Sequence, residues 1–101
     1  MKLIEMNIKT ILELCHRYRV KTLAVFGSIL TDRFNDNSDV DLLVRFDKTG
    51  HEEWDYLSNY FGLRDALERI FGRPVDLIEE DAIRNPLFKA SIDRKKQIIY
   101  G

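Results

Sequence analysis

The stretch LAVFGSILTDRFNDNSDVDLLVRF, residues 23–46, places a Gly-Ser pair after one apolar run and an Asp-x-Asp at the start of another. The pair is Gly27 and Ser28, and ten residues separate it from Asp39. Side chains alternate along a strand, so Asp39 and Asp41 are expected on one face, about 6–7 Å apart. Each carboxylate raises the pKa of the other unless a cation intervenes. The paired acids therefore predict a divalent-cation site at a strand end.

The Gly-Ser pair predicts a phosphate site beside that cation. A glycine after a strand allows a tight turn, and a helix that follows begins with unpaired backbone N–H groups. These groups and the helix dipole attract phosphate, and the Ser28 hydroxyl can donate one more hydrogen bond. Because Mg²⁺ prefers one or two carboxylates together with substrate phosphates, a triphosphate with its Mg²⁺ would use both halves of the stretch.

Asp76, in PVDLI, offers a third carboxylate on another strand, between apolar neighbours that would face the core. Three acids on adjacent strands could hold two Mg²⁺ ions about 3.5–4 Å apart, which would clamp the attacking and leaving oxygens of a phosphoryl-type displacement. Taken singly, a Gly-Ser pair is common in turns and an Asp-x-Asp is common in loops and caps. Their combination favours a nucleotide site, and the alternative is a structural or decayed site.

Outside this stretch, hydrophobic spacing predicts alternating helices and strands. Apolar residues at three- and four-residue steps indicate a helix over 4–18, and Gly72 with Pro74 ends a second one that begins at Trp54. The other predicted elements are strands over 23–26, 40–46 and from 75, a short helix over 28–33, a helix over 86–95 capped by Asn85, and a strand over 98–100. This order predicts an α/β (α+β) fold with a small mixed β-sheet and helices packed on one face, in a single domain spanning 1–101.

Composition excludes several classes of function. The 101 residues are 45% hydrophobic and 33% charged with a net charge of −1, so nothing overall attracts nucleic acid or anionic membrane. There is no apolar run of about 20 residues and no signal-peptide core. The single cysteine, Cys15, suits a reducing compartment and matches an apolar helix stripe, and His16 and His51 are expected at the surface. We expect a cytoplasmic protein without a membrane span.

The segment FGSILTDRFNDNSDVDLLV resembles the signature of the DNA polymerase beta-type nucleotidyltransferase superfamily, and RPVDLI resembles its third acidic strand. The whole chain resembles the minimal nucleotidyltransferases (MNT), which pair with HEPN proteins in toxin–antitoxin systems. The resemblance implies that Asp39, Asp41 and Asp76 are catalytic metal ligands, with Asp76 also favouring deprotonation of the attacking hydroxyl. It implies that Gly27 and Ser28 bind the β- and γ-phosphates.

The same resemblance implies a Mg²⁺-dependent enzyme that transfers AMP from ATP to a tyrosine hydroxyl on a cognate HEPN ribonuclease toxin. A chain of 101 residues has room for little beyond the nucleotide half of such a site, which is why the acceptor is expected on another protein. Two alternatives stay open. One is an inactive antitoxin that neutralises its toxin by binding, and the other is a homodimeric transferase acting on a small hydroxyl compound such as an aminoglycoside.

One departure from the family pattern concerns charge. Related sequences often continue after Gly-Ser with an Arg-Gly that places a cation near the triphosphate, where this chain has Thr31 and Asp32. Arg33 and Arg45 are the expected substitutes, the latter because alternation puts it on the Asp41 side of its strand. The departure leaves the three metal ligands intact and makes nucleotide affinity the open question.

Overall fold

The computed structural model describes residues 1–49 and 55–101, so the predictions for His51 and Trp54 lie outside the described residues. The elements in chain order are α1 (Lys2–Met6), α2 (Ile8–Arg17), β1 (Val20–Phe26), β2 (Val40–Phe46), α3 (Tyr56–Phe71), β3 (Val75–Glu79), α4 (Pro86–Lys95) and β4 (Gln97–Tyr100). Short 3₁₀ helices follow β1 at Gly27–Leu30 and β3 at Glu80–Ala82. Within these ranges, none of the helices combines the length and apolarity needed to cross a bilayer.

The first predicted helix is two helices, α1 and α2, which meet at Asn7. The Asn7 side chain donates a hydrogen bond to the carbonyl of Leu3 at 2.8 Å. Asparagine side chains compete in this way with the helical backbone, which is why the apolar spacing continues through a break in the helix.

The four strands form one mixed sheet in the order β3-β2-β1-β4. β1 is antiparallel to both β2 and β4, whereas β2 and β3 are parallel and joined by α3. A parallel pair needs such a crossover, while an antiparallel pair can be joined by a shorter connection. The predicted mixed sheet is confirmed, and β2 lies at its centre between β1 and β3.

Helices cover both faces of the sheet. The main core lies on the face that carries Leu23, Val25, Leu42, Val44 and Leu77, and residues of α1, α2 and α3 complete it. A second, smaller core joins Ala24 and Leu43, on the opposite face, to Ile92 of α4. The prediction that the helices pack on one face therefore holds for the first three and is wrong for α4. Alternation along β1 and β2 leaves apolar side chains on the second face as well, and α4 covers them.

The ends of α3 and α4 follow the signals in the sequence. Gly72 closes α3 in the left-handed conformation, with φ +66°. The Asn85 side chain accepts hydrogen bonds from the backbone N–H groups of Leu87 at 2.9 Å and Phe88 at 3.3 Å. Pro86 occupies the first turn, where no N–H donor is needed. These caps set where α4 begins and hence which of its residues reach the sheet.

Candidate functional site

Strand register brings the predicted acids to one edge of the sheet. In the parallel pair of β2 and β3, Asp41 lies opposite Asp76, and neighbouring strands are about 4.8 Å apart. In the antiparallel pair of β1 and β2, Asp41 lies opposite Phe26, the last residue of β1. The end of β1 therefore meets the beginnings of β2 and β3. The Gly-Ser pair and two of the three predicted carboxylates come together there.

Gly27 lies directly against Asp41. A Cβ atom built on Gly27 would be 2.2 Å from Asp41 Oδ2, and the residue has φ +80°. Both the positive φ and the close approach require glycine at this position. The backbone N–H of Ser28 donates a hydrogen bond to the Asp41 carboxylate. That N–H is consequently engaged by the protein, and the Ser28 hydroxyl is the donor of this residue that can turn toward a ligand.

The three carboxylates interact electrostatically around Asp41. Partial burial raises the pKa of Asp41 above its usual range, and the nearby charges of Asp76 and then Asp39 raise it further, while the Ser28 N–H opposes the shift. Asp41 is half-buried, whereas Asp39 and Asp76 are exposed. A concentration of negative charge of this kind is relieved by binding a cation, and carboxylate oxygens are suitable ligands for hard divalent ions.

The carboxylates are nevertheless not closed around a common point. Among residues 1–49 and 55–101, no three His, Cys, Asp or Glu side chains are arranged to hold a metal ion as they stand. Like charges repel, and both Asp39 and Asp76 are exposed enough to rotate. The strand register thus places Asp41 beside Asp76 although their charges repel, and a metal ion would draw the predicted ligands together.

Arg73 connects the loop that precedes Asp39 to the start of β3. Its Nη1 atom donates hydrogen bonds to the backbone carbonyls of Asn35 at 2.8 Å and Ser38 at 3.1 Å. Its guanidinium also stacks over the Phe34 ring, 4.6 Å from the ring centre. The sequence reasoning missed this role, although Arg73 opens the RPVDLI segment, because no spacing rule links an arginine to carbonyls more than 30 residues away.

Arg33 and Arg45 are the two cations expected to replace the arginine that related sequences place near the triphosphate, and their surroundings differ. Arg33 is exposed in the loop after Thr31, whose hydroxyl donates to the Ser28 carbonyl at 2.8 Å and accepts from the Arg33 N–H at 3.2 Å. Thr31 therefore closes the turn that follows the Gly-Ser pair. Arg45 pairs through Nε with Glu80 at 3.3 Å and Asp81 at 3.2 Å.

Arg45 consequently lies away from the predicted phosphate site. It lies on the same face as Asp41 but four residues further along β2, about 13 Å away. Its carboxylate partners lie beyond the C-terminal end of β3, at the opposite end of the strands from Asp76. The expectation that Arg45 stands in for the missing cation is wrong, because alternation determines the face of a side chain but not its position along the strand.

Two cavities adjoin Gly27, and α4 forms a wall of each. The larger measures about 490 Å³ and is lined by Gly27, Leu30, Thr31, Lys95 and Gln97. The smaller measures about 210 Å³ and is lined by Phe26, Gly27, Phe88, Ser91, Ile92 and Lys95. The sequence predicted a helix over 86–95 but not which part of the sheet it covers, so it did not predict that α4 reaches Gly27 and Ser28.

Two further side chains, both in α2, lie where the sequence predicted them. Cys15 is buried in the main core at 1% exposure, and burial raises the pKa of its thiol to about 11, so it is not a nucleophile. His16 is exposed and meets the Tyr100 ring edge-on at 5.8 Å.

Comparison with known proteins identifies the family to which this chain belongs. The family model described as "Nucleotidyltransferase domain" matches residues 8–99. MJ1379 of Methanocaldococcus jannaschii, named as a candidate protein adenylyltransferase, is 38% identical over 84 residues, covering 83% of this chain and 79% of the relative. Protein adenylyltransferase MntA of Thermococcus cleftensis is 31% identical over 88 residues, covering 87% of this chain and 81% of the relative.

Solved structures share the fold. A structure described as a candidate minimal nucleotidyltransferase superposes with a TM-score of 0.77 and 27% identity, covering 95% of this chain and 92% of that chain. A Shewanella oneidensis MNT antitoxin in complex with a tri-AMPylated HEPN toxin superposes with a TM-score of 0.66 and 17% identity, covering 96% of this chain and 71% of that chain. The second similarity is one of fold alone.

Proposed function

This chain belongs to the nucleotidyltransferase domain family, and among its members to the minimal nucleotidyltransferases; on that premise we propose that it transfers AMP from ATP to a hydroxyl group of a protein. The observation that carries the proposal is the contact of Gly27 with Asp41, with Asp76 in register beside it. The relatives named as protein adenylyltransferases support AMP as the transferred group.

We assign the metal to Asp39, Asp41 and Asp76. Their carboxylate oxygens are the ligand type that Mg²⁺ prefers, and burial together with the charges of Asp76 and Asp39 raises the pKa of Asp41, a strain that a bound cation would relieve. Asp39 and Asp76 would turn toward Asp41 to complete the ligand set. When bound, Mg²⁺ would neutralise the phosphates and make the acceptor hydroxyl easier to deprotonate.

The chain's own residues bind and orient the reactants. Gly27 leaves room for the phosphates to approach the backbone, and the Ser28 hydroxyl donates to the β- or γ-phosphate. The acceptor oxygen forms a bond to the α-phosphorus, the bond from that phosphorus to the oxygen of the β-phosphate breaks, and pyrophosphate leaves. The hydroxyl proton passes to the Asp76 carboxylate, which is exposed and therefore open to an incoming acceptor.

The proposed acceptor is a tyrosine on a HEPN ribonuclease. The neighbouring structure of an MNT antitoxin with an AMPylated HEPN toxin supports this class of partner. The exposure of Asp39 and Asp76 supports an acceptor that arrives on another molecule, because within residues 1–49 and 55–101 both acids are open to solvent.

The test uses ATP labelled at the α-phosphate, with Mg²⁺ and an active HEPN ribonuclease partner. We expect the label on the partner, none when ATP is labelled at the γ-phosphate, and none with Asp41→Asn. Asp36→Asn is the matched control, because Asp36 is an exposed acid in the loop between the two halves of the site. An unlabelled partner whose ribonuclease activity is demonstrably intact would contradict the proposal.

A second candidate is neutralisation by binding alone. It is favoured by the open arrangement of the carboxylates and by Thr31 and Asp32 in place of a cation. The double variant Asp39→Ala with Asp41→Ala separates the two functions. If this variant still protects cells from the toxin, contact and not AMP transfer is the mechanism.

A further inference from the structure

We infer that Lys95, the last residue of α4, binds the β- and γ-phosphates of the nucleotide. The inference rests on the proposed function and extends it, because it assigns a phosphate ligand outside the Gly-Ser and Asp-x-Asp motifs. Lys95 lines both cavities that adjoin Gly27. Of the residues that line them, Gly27 and Lys95 are common to both.

The packing of α4 explains why Lys95 lies there. One side of α4 carries Phe88, Ser91, Ile92 and Lys95. They share it because helix residues three and four positions apart are neighbours on the surface. Ile92 anchors that side, because it is buried against Ala24 and the rest of the small core. Lys95 is one turn further on, where the sheet ends at Gly27, and its exposed ammonium group can reach into the larger cavity.

The charges on α4 distinguish Lys95 from its neighbours. Lys89 and Lys96 both pair with Asp93, at 2.6 and 2.8 Å, and both approach Glu80, at 3.7 and 3.6 Å. Lys95 takes part in none of the ion pairs formed among residues 1–49 and 55–101. A cation without a carboxylate partner beside Gly27 is therefore available to an anionic ligand.

The chemistry of the larger cavity fits a polyphosphate. Its volume of about 490 Å³ falls within the range of small-molecule sites, about 300–1,000 Å³. Thr31 and Gln97 add polar groups to the lining. A lysine ammonium group offers three donors around a compact charge, which suits phosphate oxygens. During transfer, negative charge accumulates on the departing pyrophosphate, and a fixed cation at that place stabilises it.

The experiment compares Lys95→Ala, Lys95→Arg and Arg94→Ala in the full chain with Mg²⁺. Arg94 is the matched control, because it is the adjacent exposed cation on α4 and lines neither cavity. We expect Lys95→Ala to raise the Kd for ATP about ten- to hundredfold, as the loss of a charge-assisted hydrogen bond does. Lys95→Arg should recover most of the affinity, Arg94→Ala should leave it unchanged, and AMP binding should not respond to any of the three.

The outcomes separate this inference from the proposed function. If the wild type transfers AMP but Lys95→Ala binds ATP as well as Arg94→Ala does, the assignment of Lys95 is wrong and the function stands. If Lys95→Ala weakens ATP but not AMP binding while the wild type labels no partner, Lys95 is a phosphate ligand and the proposed transfer is wrong. Failure of the wild type to bind ATP overturns both. An equal loss of AMP affinity would place Lys95 away from the β- and γ-phosphates.

Discussion

Two structural features require glycine at position 27. It has φ +80°, and its missing side chain leaves the space that Asp41 Oδ2 occupies. Gly72, at the end of α3, shares the first requirement with φ +66°, but apart from its own helix and chain neighbours no atom of the described residues lies within 4 Å of an added Cβ. The two glycines therefore allow backbone strain to be separated from steric overlap by experiment.

Gly27→Ala and Gly72→Ala form a matched pair of variants. Each should lose about 1–2 kcal/mol of unfolding free energy from the left-handed backbone alone. Gly27→Ala should lose more, because Asp41 must move, and it should also abolish AMP transfer. Denaturant unfolding and the transfer assay measure both effects. Equal stability and equal activity of the two variants would show that the contact with Asp41 has no role.

Asp41 should make the stability of the metal-free protein depend on pH above about 4. Its folded-state pKa is raised by burial, Asp76 and Asp39, so the folded protein binds protons more readily than the unfolded chain. Stability in EDTA should consequently fall as the pH rises from about 4, the ordinary value for Asp, through the raised value. Asp41→Asn should be more stable than the wild type at pH 7 and lose that advantage below pH 4. If Asp41→Asn is less stable than the wild type at pH 7, the charge of Asp41 does not destabilise the metal-free fold and the prediction is wrong.

At the scale of the elements, Arg73 ties the loop before β2 to β3. Two hydrogen bonds to backbone carbonyls and a stacked ring hold residues 34–38 against the start of β3. The backbone N–H of Val40 also donates to the Pro74 carbonyl at 3.1 Å, so the two strands begin together. The relative position of Asp39 and Asp76 depends on this connection.

Arg73→Ala should lower AMP transfer about tenfold and unfolding free energy by about 1–2 kcal/mol, through the lost hydrogen bonds. Arg69→Ala is the control, because Arg69 is an exposed arginine in the last turn of α3. Transfer rates and denaturant midpoints measured for both variants test whether Arg73 contributes to activity and to stability. If Arg73→Ala loses stability but keeps full activity, the loop does not need to be held for catalysis.

At the scale of the whole molecule, one small sheet carries the acids of the candidate site at its edge, and α4 forms a wall of the cavities beside Gly27. The large cavity beside Gly27 is lined by the 3₁₀ helix, the residue after it, α4 and β4. The proposed nucleotide site thus draws on elements from the first and last thirds of the sequence, while Asp39 and Asp76 are exposed. We expect the proposed acceptor to approach from the side on which these two acids are exposed.

We expect AMP transfer to a protein partner and none to an aminoglycoside or another small hydroxyl compound supplied at millimolar concentration. A small acceptor needs surrounding walls to be oriented, and a second subunit would have to provide them. The assay is transfer of α-labelled phosphate to either acceptor, together with the molar mass in solution. Efficient transfer to the small acceptor by a stable dimer would favour the homodimeric alternative.

The sequence by itself determined the order of helices and strands, apart from the break at Asn7, and the Gly-Ser and Asp-x-Asp motifs. These follow from periodicities of two and about 3.6 residues and from turn chemistry, which act between near neighbours. The apolar neighbours of Asp76 already suggested a third acid on another strand, and strand register places it opposite Asp41.

Only the tertiary structure decided which residues approach the candidate site and which are held away from it. Arg45 is paired with Glu80, Ser28 donates its N–H to Asp41, Arg73 holds a loop more than 30 residues earlier, and Lys95 lies beside Gly27. Each of these contacts joins residues far apart in the chain, and strand order and the face that α4 covers determine them. Local periodicity carries no information about either, because it specifies which side of an element is apolar and not which element will cover it.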